Sequence, residues 1–191
     1  MDLAFQRAIA LIDTENARDP NKELGQPREL LYAQRLSEWV RKLAPNASEV
    51  LRLAARCQHI CRWMIPRDSY PMTRAGYLRW RADLKNFHAK KAGEILAEAG
   101  CPVETIQKVQ DLNVKKNFPG DPESRILEDA LCLVFLEFQL TDLAAKTADD
   151  KMINAIQKSW KKMTPAGHQF ALGLPYGPKE KQLVERALSG N

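Results

Sequence analysis

Residues 126–140 read ILEDALCLVFLEFQL, and this stretch decides the fold. Wound as an α-helix at about 100° per residue, it puts Leu127, Leu131, Val134 and Phe138 on one side and Leu133, Leu136 and Leu140 on the other. A helix that is apolar around nearly its whole circumference belongs at the centre of its fold. Yet this one carries Glu128, Asp129 and Glu137. An unpaired carboxylate in a core is costly enough that it must be paired, protonated or metal-bound. Three acids on such a helix therefore predict cations beside it, either arginines or a metal ion. The alternative is that they reach solvent through gaps or form core salt bridges.

The rest of the chain repeats the helical period. Leu3, Ala4, Ala8, Ile9 and Leu11 predict a helix over 2–16. Two prolines and a glycine make 17–27 a loop. Pro27 opens a second helix to about Leu43, and Asn46 with Glu49 resembles a capping box for a third over 47–64, stopped by Pro66. A long fourth helix spans Arg74 to Ala99 before Gly100, and Pro102 opens a fifth to about Lys116. Asp121 and Pro122 begin the sixth, to about Lys146. Thr147 with Asp150 is expected to cap a seventh, while Thr164-Pro165 and Gly177-Pro178 open two short terminal helices. With no alternating strand pattern and no boundary signal, residues 1–191 are expected to form one all-α domain, a helical bundle.

Composition narrows the function classes. Apolar residues make up 45% and charged residues 28%, which excludes a disordered chain. No apolar run approaches the roughly 18 residues that span a bilayer, and Asp2 and Asp13 make the first helix a poor signal peptide. A cytoplasmic protein with no membrane partner is expected. Cys57 and Cys61, four apart on one apolar helical face, are expected as buried thiols, and with Cys101 and Cys132 they form no CxxC pair, which argues against a zinc knuckle. The net charge of +5 favours an anionic partner.

Two histidines stand out. His88 lies in the apolar stripe Tyr77, Trp80, Leu84, Ala92 and Ile95 of the fourth helix, where its ring must be buried with both nitrogens satisfied. His59 points away from the stripe of the third helix and shares a face with Arg52, Ala55, Arg56 and Trp63. Solvent exposure is one reading of that face; the tryptophan favours a cleft. The segment RWMIPRDSYPMTRAGYLRWRADLK, 62–85, interleaves Arg62, Arg67, Arg74, Arg79, Arg81 and Lys85 with Trp63, Tyr70, Tyr77 and Trp80. Guanidinium groups bind phosphate bidentately and aromatic rings stack on bases, so this mixture suits a nucleotide or nucleic acid. The plainer reading is a solvated loop with core aromatics. Lys115 and Lys116 extend the same patch.

The stretches ELLYAQRLSEW, LRLAARCQHICRWMIPRDSYPM, GYLRWRADLKNFHAKKAGEIL and ILEDALCLVFLE resemble a family known only as domain of unknown function 4202, which implies no activity. More distantly, the order of helices is similar to the HD phosphohydrolase superfamily, whose metal ligands are histidines and aspartates. LRLAARCQHI ends in His59-Ile60 where that superfamily has a His-Asp pair, His88 precedes KAGEIL, and Asp129-Ala130 falls on a late helix. Ile60 and Tyr32 depart from the pattern at two ligand positions, which rules out its standard two-metal site.

The resemblance implies an HD-like bundle in which His59, His88 and Asp129, with water or Glu128, hold one divalent ion such as Mn, Fe, Co or Zn. That ion would activate a water for phosphohydrolysis, making His59, His88, Asp129 and Glu128 catalytic. Arg56, Arg62, Trp63, Arg67, Arg79, Trp80, Arg81 and Lys115 would bind a nucleotide or other phosphorylated substrate. The alternatives are a non-catalytic module binding a nucleotide or RNA, and a scaffold whose histidines are structural.

Overall fold

A computed structural model describes residues 3–189. The helices are α1 (Leu3–Asn16), α2 (Arg28–Leu43), α3 (Glu49–Cys57), α4 (Arg74–Ala99), α5 (Val103–Asn113), α6 (Pro122–Val134), α7 (Leu140–Ala145), α8 (Asp149–Trp160), α9 (Pro165–Leu172) and α10 (Pro178–Leu188). The chain is all-helical apart from a two-residue antiparallel ribbon, Lys22–Glu23 with Gln26–Pro27, inside the expected first loop. No helix among the described residues is long and apolar enough to cross a membrane.

Among the described residues, one hydrophobic core takes side chains from each of α1 to α10, with Leu127, Ala130, Leu133, Val134, Leu136 and Leu140 among them. The apolar circumference read in 126–140 is thus covered by neighbours except along Leu131, Phe135 and Phe138, which are half-buried. α6 lies along α2, α4 packs against α1 and α5, and α8 pairs with α10.

Three departures from the expected helices shape the site. α3 ends at Cys57, not at Met64, because Cys61 adopts a left-handed backbone at φ 53° and turns the chain. Asn16 at the end of α1 holds that turn by accepting from the Cys61 N–H at 3.2 Å. α5 ends at Asn113, shortly before Lys115 at φ 58°. Between α6 and α7, residues Phe135–Gln139 form a π-helical turn where one continuous helix was expected. Such insertions recur at functional sites because they re-aim the side chains around them.

The caps are mixed. Asp121, Thr164 and Gly100 play the parts expected of them, but Ser48 caps α3 in place of Asn46, and α8 starts after Ala148 without a side-chain cap.

Candidate functional site

The turn after α3 builds one wall of a cleft of about 420 Å³. Because the helix breaks early, His59 swings inward. Its ring stacks on Tyr32 of α2, centroids 4.1 Å apart and planes 10° apart. Its Nδ1 stands 3.6 Å from Oε2 of Glu29, one turn earlier on α2. Asp19 sets that end of α2 by accepting from the Glu29 N–H at 3.0 Å. His88 rises from α4 at the floor, 4% exposed, its ring centroid 5.7 Å from that of His59. Its Nδ1 donates to the Ile60 carbonyl at 2.8 Å, which leaves Nε2 as a bare acceptor. The π turn presents Phe135 and Gln139 along the opposite wall, with Leu131 one turn before them.

Five cationic side chains, Arg62, Arg81, Lys85, Lys115 and Lys162, and one carboxylate, Glu128, also line the cleft. Glu128 is 3% exposed and bonds to Lys115 and, at 3.1 Å, to Lys162. Among the described residues Arg62, Arg81 and Lys85 have no carboxylate within ion-pair distance. Arg62 is held in place by the Trp80 ring, 4.8 Å from its guanidinium carbon, and Trp80 in turn donates its indole N–H to the Ile65 carbonyl at 2.9 Å.

Burial and this positive field set the protonation of the floor. Burial pushes the Glu29 carboxyl up to about 7, against the pull of Arg62 and Arg28. Burial, with Arg62, Arg81 and Lys115, holds His59 well below the usual imidazole range. Burial and the neighbouring His59 bring His88 down to about 3. Both imidazoles are therefore neutral near pH 7. Burial opposes the charge of Glu128, but Lys115 and Lys162 outweigh it and keep this carboxyl below its ordinary value. The burial that raises Cys132, on the same wall, to about 12 makes its thiol unreactive. A neutral, aromatic floor under a cationic mouth can hold an anion without strongly protonating it.

The expected metal triad does not assemble. Neighbouring residues on a helix point about 100° apart, so Glu128 enters the cleft while Asp129 faces α9. There Asp129 accepts from the Thr164 N–H at 2.8 Å and from the Thr164 hydroxyl at 2.5 Å. That hydroxyl accepts in turn from the Gly167 N–H. Among the described residues, no group of three His, Cys, Asp or Glu side chains is arranged to hold a metal ion. The acids of the central helix instead find different partners: lysines for Glu128, Thr164 for Asp129, and the Trp39 indole N–H at 2.8 Å for Glu137.

Several expected binding residues also stand apart from the cleft. Arg56 makes a two-pronged bond to Asp13, at 2.6 and 2.7 Å. Arg67 braces its own loop through the Tyr70 and Pro71 carbonyls, Arg79 faces Asp83 on the surface, and Trp63 packs against the core. Trp80 supports Arg62 from behind without lining the cavity. Arg62, Arg81, Lys115, Glu128, His59 and His88 do converge. Glu29 escaped the sequence reading because an acid in the first turn of a helix looks like ordinary dipole complementation. Lys162 carried no signal beyond its place before the Thr164-Pro165 cap. A larger cavity, about 650 Å³ and floored by Phe5 and Ile9, holds no histidine, and its Arg41 and Arg56 are bound to Glu38 and Asp13.

The fold and this cleft define an all-helical protein with a cationic, histidine-floored pocket. The chain belongs to the family described as Domain of unknown function (DUF4202), whose model matches residues 6–184. No curated protein and no solved structure matches it.

Proposed function

We propose that this protein binds a phosphorylated small molecule, of nucleotide size, in the cationic cleft. The observation that carries this reading is the convergence of Arg62, Arg81 and Lys85 on one cavity, with no carboxylate among the described residues within ion-pair distance of them. Clustered like charges cost folding free energy, and an anion recovers it. Tyr77 and Phe135 on the walls give a base or another flat group a surface to stack on.

Metal-assisted hydrolysis by His59, His88 and Asp129 has less support, because Thr164 occupies both carboxylate oxygens of Asp129. An HD-like arrangement of helices remains compatible with binding. At the two positions where this chain departs from that pattern, Tyr32 stacks on His59 and Ile60 is fully buried. Such a frame serves as a receptor for the anion.

Titration calorimetry with inorganic phosphate, pyrophosphate and nucleoside mono- and diphosphates tests the reading. Arg62→Met keeps the stem over Trp80 and removes the charge. It is expected to weaken binding about tenfold to a hundredfold, the worth of a charge-assisted hydrogen bond. Arg79→Ala, outside the cleft, is expected to change nothing. If no phosphate compound binds, the proposal fails. If only oligonucleotides bind, with a steep salt dependence, the partner is RNA. Phosphatase activity with a bound metal in the purified protein would restore the hydrolytic reading.

Glu128→Gln gives a second test. It releases Lys115 and Lys162 toward the cavity, so affinity for the same anion is expected to rise severalfold while Tm falls. Weaker anion binding by this variant would contradict the assignment of those lysines to the cleft.

A further inference from the structure

The floor of the cleft carries information that its cationic mouth does not. Few buried polar atoms in a folded protein lack a hydrogen-bond partner, and each exception calls for an explanation. Among the described residues three such atoms belong to side chains that line this one cavity: His88 Nε2, Asn113 Oδ1 and Gln58 Oε1. A fourth, Glu29 Oε2, lies beside His59.

The chemistry of the first two is fixed by what their other ends do. His88 Nδ1 donates to the Ile60 carbonyl, so Nε2 offers a lone pair. Asn113 Nδ2 donates to Cys57 Sγ at 3.3 Å, and that thiol donates onward to the Leu53 carbonyl. The Asn113 amide therefore cannot turn over without losing a bond, and its carbonyl oxygen is the end left without a partner. Both residues are more than nine-tenths buried, His88 at 4% and Asn113 at 1% exposed. The low affinity of His88 for protons keeps Nε2 an acceptor throughout the physiological range.

Acceptors at the floor ask for a ligand with donors. A positively charged amine is a poor candidate, because Arg62, Arg81 and Lys115 would repel it. A hydroxyl fits better than an aromatic amine: it donates to His88 or Asn113 and at the same time accepts from the neighbouring lysine and arginine donors.

We propose that the cleft selects a phosphorylated, hydroxyl-bearing compound, a sugar phosphate or the ribose phosphate of a nucleotide, with its hydroxyl groups on His88 Nε2 and the Asn113 carbonyl and its phosphate among Arg62, Arg81 and Lys85. This specificity rests on the phosphate-binding reading above, but it can fail while that reading stands.

The experiment is calorimetry on the full chain with four probes: inorganic phosphate, butyl phosphate, ribose 5-phosphate and adenosine 5′-monophosphate. At least one of the two hydroxylated esters is expected to bind about tenfold or more tightly than butyl phosphate, the gain expected from one hydrogen bond to a desolvated acceptor. Whichever of the two binds more tightly identifies the source of the hydroxyls as a free sugar phosphate or a nucleotide. The imidazole ¹⁵N resonance of His88 Nε2, measured in the unaltered protein, is expected to move with the hydroxylated ligand and not with butyl phosphate. This readout does not depend on a His88 variant that folds.

Equal affinity for all four probes, or a His88 resonance that ignores the hydroxylated ligand, overturns the floor assignment and leaves phosphate binding intact. Failure of all four, and of pyrophosphate and the nucleoside diphosphates, to bind removes both.

Discussion

Asp129→Ala is expected to lower Tm by roughly 5–15 °C while leaving anion affinity within about twofold of the parent. The carboxylate is 2% exposed and receives two hydrogen bonds from Thr164. Removing it strands the half-buried amide N–H and hydroxyl of Thr164 at the start of α9, at a cost of about 2–4 kcal/mol. In a chain of this size each kcal/mol moves Tm by about 2–4 °C. Gly167 supports the same assignment: a Cβ there would lie 2.6 Å from Asp129 Oδ1, so Gly167→Ala should destabilise by the same route. Thermal unfolding followed by circular dichroism measures the first effect and calorimetry the second. A variant that melts like the parent but loses its ligand or a bound metal would return Asp129 to the functional site.

Glu29→Gln is expected to stabilise the protein at pH 8 and to leave it nearly unchanged at pH 4. In the folded chain burial raises the Glu29 carboxyl from 4.5 to about 7. Below pH 4.5 both states are protonated and burial adds no ionisation penalty. As pH rises from 4.5 to 7 the unfolded chain ionises first, and stability falls by up to about 3 kcal/mol.

His88 acts in the opposite sense over an overlapping window. Its imidazole is lowered from 6.5 to about 3, so the unfolded chain takes up a proton first and stability falls as pH drops from 6.5 toward 3. His59, depressed for similar reasons, adds to the histidine's side. In the parent the two slopes largely oppose each other between pH 4.5 and 6.5. Glu29→Gln uncovers the histidine slope, so the variant should gain stability with pH across that window. Urea unfolding from pH 4 to 8 checks this. A variant no more stable than the parent at pH 8 would show that Glu29 ionises freely in the fold.

Most of the architecture was legible because it follows from local rules. The breadth of the apolar surface in 126–140 put α6 at the centre. Asp121, Thr164 and Gly100 marked helix ends through their own backbone and side-chain chemistry. Part of the cleft was legible too: His59, His88, Arg62, Arg81, Lys115 and Glu128 were all identifiable from their unusual neighbours in the chain, and all line one cavity. Asp129, Arg56, Arg67 and Arg79 were misplaced for a common reason. A charged side chain advertises its need for a partner, but not which partner it finds. Asp13, Thr164 and the loop carbonyls lie where only the packing of helices could put them.

What the sequence by itself determined is therefore the set of helices, the central position of α6 and the surplus of positive charge, since periodicity, caps and composition are properties of short stretches. Tertiary structure alone decided which way each charge faces. A left-handed turn at Cys61 aimed His59 inward, a π turn at 135–139 carried Phe135 and Gln139 to the opposite wall, and a rotation of about 100° between Glu128 and Asp129 sent one carboxylate to the cleft and the other to a helix cap. The partners that fix these directions, Asn16 at the Cys61 turn and Thr164 at Asp129, come from segments far apart in the chain, and such contacts carry no signature in either segment alone.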